Sequence, residues 1–215
     1  MQLLRQENAA ARAYRALEGQ IVTLKLTPGS VVNESHLLDL LGFGRTPTRE
    51  AVQRLAWEGL IEIRPRSGLM IAPLVASDWL RVIDARVGPE IVLARSAARF
   101  LTPETSKLFD DAARQIKAAV ETSDAQSFLN ADKTLDEALA GAGDNPFAAR
   151  IVAPLQTHSR RFWYRFHHET GLTESARHHL DIIAAVLSRD EDRADDMTRR
   201  LMAMLRLNAE ASITR

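Results

Sequence analysis

The chain contains no cysteine, so no disulfide framework can hold it together, and any metal site must be built from histidine and carboxylate side chains. It has no run of about eighteen apolar residues that could span a bilayer. Met1 to Ala10 holds no apolar stretch of the kind a secretion signal needs. These absences predict a chain that neither enters a membrane nor is secreted, and so one at work in the cytoplasm. Net charge is absent too, since 28 basic residues balance 28 acidic ones. That balance excludes a uniformly basic protein that adheres to nucleic acid by charge alone. There is no internal repeat, low-complexity tract or heptad run, and no nucleophile motif, phosphate loop or HExxH helix. What is present is 215 residues, 46% of them hydrophobic and 26% charged, enough for two domains or one large one with real cores.

The charge that does exist is unevenly placed. Residues 1–74 carry nine Lys/Arg against seven Asp/Glu, and within 45–66 five arginines face three acids. A local basic tip of this kind suits specific, dimeric DNA binding rather than broad adhesion. It lies within 33–68, the most strongly patterned stretch of the chain. Asn33 is a good N-cap, Leu37, Leu38, Leu40 and Leu41 follow, and Gly42 can end the helix. A second helix must begin at once, with Thr46 read as its N-cap and Pro47 at the first helical position. Val52, Leu55, Ala56 and Gly59 then share one face, which leaves Arg49, Glu50, Gln53 and Arg54 elsewhere. Arg45, Thr46, Thr48 and Arg49 at the start of this helix suit a major groove: a guanidinium fork matches guanine O6 and N7, and hydroxyls can hold phosphates. Ile61, Ile63, Leu69 and Ile71 alternate around a basic tip at 64–68, which predicts a two-stranded wing. An amphipathic helix over 5–24, with Tyr14, Leu17, Ile21 and Val22 inward, comes before all of this.

The run LTPG at 26–29, followed by LLGFGRTPTREAVQRLAWEGLIEIRPRSG at 40–68, resembles the winged helix-turn-helix of the GntR family of bacterial transcription regulators, over most of 14–72. The resemblance implies a double-stranded DNA operator as partner. It implies contacts from Arg45, Thr46, Thr48 and Arg49, and a wing whose Arg66, Ser67 and Gly68 reach toward the minor groove. Gly44 departs from the pattern, standing where the family usually has serine or threonine.

The β pattern stops near Ala72-Pro73-Leu74, and Ser77-Asp78 can cap a new helix. We therefore expect a mainly α protein: a winged helix-turn-helix over 1–74, with three helices and a two-stranded wing, then an all-α bundle over 75–215. Six helices are expected in the bundle, at about 77–100, 103–121, 124–142, 146–168, 173–188 and 190–211, from capping and breaker signals. These signals are Thr102-Pro103, Ser123 with Gln126, Asn145-Pro146 and Asp190. Gly88-Pro89 should kink or split the first of the six.

Several polar residues fall on apolar stripes of these helices. Asp132 lies between Phe128 and Leu135 with Asp136 at the edge, His179 between Ala176 and Ile182, and Glu90 on the stripe of Ile83, Val87 and Ala94 with Arg86 one turn earlier. Buried charges need partners, so these residues should face one polar cavity. This half resembles the FCD-type ligand-binding domain that accompanies the GntR winged helix in the FadR-like subfamily. The resemblance rests on Arg86 and Glu90, Asp132 with Gly143-Asp144-Asn145, and 179–190. It implies homodimerisation and a small-molecule effector, for which a carboxylate read by Arg86 and His179 beside Asp132 is the expected class.

Many members bind a divalent metal through an Asp, a His four residues later and two further histidines. Here Asp132 and His179 match, Asp136 replaces the second ligand, and Leu201 falls where the fourth belongs. A metal on Asp132, Asp136 and His179 is one reading, and a hydrogen-bonded Asp–His pair is the other. His158 is a reserve ligand, while His167, His168 and His178 read as solvated. The run 160–166, RRFWYRF, could be imagined as a nucleic-acid surface but reads better as packing, as do Trp57 and Trp79. The functional alternative to a ligand-responsive regulator is a metal-dependent enzyme acting on a small acid through Asp132, Asp136 and His179.

Overall fold

A computed structural model describes residues 8–65 and 67–214, apart from the side chains of 168–170. Residues 5–7 of the expected first helix, Arg66 and the side chain of His168 therefore lie outside the described part. The chain forms two compact units that divide between Leu74 and Val75.

In the first unit, α1 (Ala9–Val22) starts where the Asn8 side chain accepts the Ala11 N–H. It buries Tyr14, Leu17, Ile21 and Val22 as its spacing requires. After β1 (Val31–Val32), Asn33 caps α2 (Glu34–Leu41) by accepting the His36 N–H at 2.8 Å, and Gly42 ends it in the left-handed region at φ 68°. The next helix, α3 (Arg45–Trp57), begins two residues earlier than the Thr46 cap predicts. Gly44 is the cap, with extended backbone and no side chain to signal it. Pro47 sits in the first turn, where its missing N–H is not needed.

The wing also differs from expectation. β2 (Ile61–Arg64) and β3 (Gly68–Ile71) form the expected hairpin, but β1 adds a third strand in the order β1-β3-β2, pairing Val31 with Met70 and Val32 with Leu69. Two residues with a non-periodic environment give no strand signal in sequence; the register of β3 recruits them. Gly68 makes this closeness possible, because at φ 97° a Cβ there would sit 2.9 Å from the Val32 carbonyl oxygen. Leu17, Ile21, Leu37, Leu55, Leu60 and Ile71 fill one core under the three helices and the sheet.

The second unit holds α4 (Ala76–Arg99), α5 (Pro103–Glu121), α6 (Ala125–Ala142), α7 (Pro146–Thr170), α8 (Leu172–Leu187) and α9 (Glu191–Ile213). Helix α4 is central, packing against α6, α7, α8 and α9. It runs unbroken through Pro89, so the expected split does not occur. Thr102 and Thr105 form a capping box at α5, and Asn145 and Asp190 cap α7 and α9. At α6 the cap is Asp124 and not Ser123. Its carboxylate accepts the Gln126 and Ser127 N–H groups, while Ser123 turns to φ 52° to leave α5. Trp79 is fully buried and stacks on Phe162 and Phe166 at 5.8 and 5.9 Å, which ties α4 to α7. Arg160, Arg161, Phe162 and Trp163 are all buried, so the first four residues of this run are core, while Arg165 is exposed. Trp57, by contrast, is 92% exposed and is not a packing residue of its unit. No described helix is long and apolar enough to cross a membrane.

Candidate functional site

Two places gather the residues singled out by sequence. The first is the start of α3. Thr48, Ala51, Val52 and Leu55 are buried, which turns Arg45, Thr46, Arg49 and Glu50 to solvent. The two arginines are held by Glu34 of α2, with Arg49 Nε 2.8 Å and Arg45 Nε 3.9 Å from Glu34 Oε1. An exposed pair of this kind contributes little stability but orients both guanidinium groups. Thr48 does not join them. Its side chain is fully buried, and its hydroxyl donates to the Gly44 carbonyl at 3.0 Å, so it supports the helix start and is not presented to solvent. Ser67 is exposed and Gly68 half-buried at the wing tip. Between α3 and the wing runs a groove of about 350 Å³, lined by Glu34, Arg49, Gln53, Arg64 and Leu69 among others.

The second place is inside the helical unit. Arg86 and Glu90 of α4, Asp132 and Asp136 of α6, Gln156 and Arg160 of α7 and His179 of α8 form one connected polar cluster. Arg86 donates through Nε and Nη2 to Glu90 Oε1 at 2.9 and 2.7 Å. Gln156 Nε2 bridges Glu90 Oε1 and Asp136 Oδ1 at 3.1 and 2.9 Å. Arg160 Nη1 donates to Asp132 Oδ2 at 3.3 Å and to Asp136 Oδ2. His179 Nε2 lies 2.8 Å from Asp132 Oδ1, and its Nδ1 lies 2.6 Å from the Ser175 carbonyl oxygen.

Both neighbours of His179, a carboxylate and a carbonyl, accept hydrogen bonds, an arrangement that favours the doubly protonated ring. Burial alone would push its pKa down, but the hydrogen bond and charge of Asp132 outweigh that and raise it. Burial likewise works to raise Asp132, yet His179, Arg160 and Arg86 together hold it well below the usual carboxylate range. Asp136 is pushed up to about 8 by burial and by the charges of Asp132 and Glu90, against the pull of Arg160. Three cations therefore face two carboxylates and a third that favours its proton. The cluster borders a cavity of about 20 Å³, with Phe128, Trp163 and Leu205 on its apolar side. That is room for one water.

The expected metal site does not fit this arrangement. Asp132, Asp136 and His179 are brought together, but Arg160 bonds both carboxylates and both His179 nitrogens already have protein partners. Leu201 is buried at the fourth position. Among the described residues no group of three His, Cys, Asp or Glu side chains is placed to hold an ion. The enzyme alternative, which needs a metal-bound water there, loses its centre. The Asp–His pair is the reading that the geometry carries, in enlarged form. His178, expected in solvent, is buried with its pKa lowered by that burial; His167 is half-buried against Trp163.

Residues 9–71 match the bacterial regulatory proteins of the gntR family, and residues 81–204 match the FCD domain. The HTH-type transcriptional repressor RspR of Escherichia coli is 28% identical over 180 residues, 83% of this chain and 79% of that protein. A probable D-xylose utilization operon transcriptional repressor of Paenarthrobacter nicotinovorans is 24% identical over 194 residues, 90% of this chain and 85% of its own. Among solved structures, E. coli McbR/YncC superposes with a TM-score of 0.79 at 17% identity, covering 95% of this chain and 98% of that one. A winged helix followed by six helices, matched end to end by these two domains, makes this chain a transcription regulator of the GntR family with an FCD domain.

Proposed function

We propose that the chain acts as a homodimer on a palindromic DNA operator, reading it with Arg45, Thr46 and Arg49 of α3 and with the wing residues Arg66, Ser67 and Gly68. The observation that carries this reading is the first turn of α3, which turns both arginines and Thr46 to solvent while its opposite face is locked in the core. A dimer places two such helices about 34–36 Å apart, one turn of DNA. The helical unit holds a small acid at the cluster of Arg86, Asp132, Arg160 and His179, where cationic groups exceed ionised carboxylates. The cavity admits only a water-sized guest, so an acid enters by parting the cluster. It changes DNA affinity by its differential affinity for the parted and closed arrangements. The repressor relatives support repression as the output.

Selection of duplexes from a random pool, followed by fluorescence anisotropy, tests the DNA reading. The wild type should enrich a palindrome, and Arg49→Ala should lose about 5- to 150-fold in affinity, the equivalent of about 1–3 kcal/mol for one bidentate base contact. No enriched sequence, or an Arg49→Ala protein that binds as tightly, would sink this assignment.

A further inference from the structure

We propose that Arg160 takes the place of a metal ion in the helical unit, making its cavity metal-independent. Two acidic side chains one helical turn apart on α6, Asp132 and Asp136, share one positive group, and that group is a guanidinium from α7 rather than an ion. All three side chains are about nine-tenths buried, so the pairing is shielded from solvent. A guanidinium is always charged and supplies several N–H donors in a fixed plane, so it can serve two carboxylates at once. A divalent ion cannot join it, because its two charges would add to those of Arg86, Arg160 and His179 in one buried cluster whose carboxyl groups are Asp132, Asp136 and Glu90.

His179 closes the site from the other side. Its Nε2 lies 2.8 Å from Asp132 Oδ1 and its Nδ1 2.6 Å from the Ser175 carbonyl oxygen, so both ring nitrogens are already engaged by the protein. Leu201, at the position where the resemblance puts a fourth ligand, is 4% exposed and has only carbon to offer. Arg160 also donates to the Thr157 hydroxyl at 3.2 Å and borders the small cavity. If the cavity is the effector site proposed above, an incoming acid meets an Arg fork and is held by charge-assisted hydrogen bonds instead of chelation. Exclusion of a metal by Arg160 does not depend on that reading.

The test uses the full chain, Arg160→Gln, Arg160→Lys and the double variant Arg160→Gln/Asp132→Asn, each melted in chelator and in Co²⁺. Wild type and Arg160→Lys should melt alike in both and show no visible cobalt absorption. Arg160→Gln takes away the cation that Asp132 and Asp136 share, leaving Asp132 with His179 alone; it should melt lower in chelator and recover in Co²⁺ with one ion bound per chain, His179 giving up a proton to ligate. The double variant should not recover. If Arg160→Gln fails to fold in chelator, refolding it with and without Co²⁺ answers the same question. Either of two results overturns the proposal: a divalent ion retained by dialysed wild type and lost in Asp132→Asn, or Arg160→Gln that gains no ion and no stability from Co²⁺, Mn²⁺ or Zn²⁺. Failure to bind an operator or an acid would overturn the proposed function alone, since none of these measurements uses either.

Discussion

Replacing Asp132 with alanine removes the carboxylate that faces both Arg160 and His179 in the interior. Breaking a buried charge cluster by deleting one partner costs about 3–5 kcal/mol. Two features of the site reduce the loss toward about 3 kcal/mol, the lower end of that range. Asp136 still faces Arg160, and His179 can shed its Nε2 proton while Nδ1 keeps its bond to Ser175. For a unit of this size the melting point should fall by about 6–12 °C.

Scanning calorimetry at neutral pH measures that loss, and histidine ring NMR follows the cause. In the wild type the raised His179 stabilises fully below its unfolded pKa of about 6.5, and this fades as pH rises through the higher folded value. The depressed Asp132 stabilises fully above about 3.9 and fades as pH falls through its lower folded value. The pair is therefore strongest between about pH 4 and 6.5. Asp136 runs the other way: its raised pKa means stability declines as pH climbs from about 4 toward 8. Without Asp132, burial leaves the His179 pKa depressed, so acidification below about pH 6.5 should weaken the variant where it does not weaken the wild type. A loss under about 1 kcal/mol, or an unmoved His179 titration, would refute the pairing as the source of the stability.

Two further outcomes test the reading unit. Thr48→Val keeps the shape of a buried side chain and removes its bond to the Gly44 carbonyl; it should cost about 0.5–1.5 kcal/mol in chemical denaturation. Operator affinity at fixed temperature should not change, and a selective loss of affinity would return Thr48 to the DNA contacts. Gly68→Ala forces a Cβ toward the Val32 carbonyl and a side chain into positive φ, at a cost of about 1–3 kcal/mol. Hydrogen exchange at the Val31 to Met70 pairing should quicken, and unchanged protection would show that the wing tolerates the shift.

The helical half was legible wherever an element's end is written in side chains. Thr102 before Pro103, Asn145 before Pro146 and Asp190 each mark a start because each supplies an oxygen for orphan N–H groups. The failures share a cause. Gly44 caps α3 with backbone alone, so the eye goes to Thr46, two residues on; Ser123 resembles a cap, but the adjacent Asp124 reaches two N–H groups. Arg86, Asp132 and His179 stood out as polar residues on apolar stripes. Arg160 and Gln156 did not, although Val152, Gln156, Ser159, Arg160 and Trp163 share one inward face of α7. An arginine amid aromatic residues reads equally well as a snorkelling surface residue. Only the approach of α6, distant in sequence, decides that it is buried.

Pro89 gives α4 a mechanical property. A proline has no N–H, so the rung that would run from residue 89 back to the Ala85 carbonyl is missing, and a helix of this length should be weakest there. The Arg86–Glu90 bond spans that same turn, from just after the missing rung's acceptor to just beyond the proline. The side chains act as a splint where the backbone has a gap. Because Arg86 also borders the cavity, a guest that draws it from Glu90 loosens the splint. On the proposed function, the stiffness of α4 would then depend on whether a guest has parted the cluster.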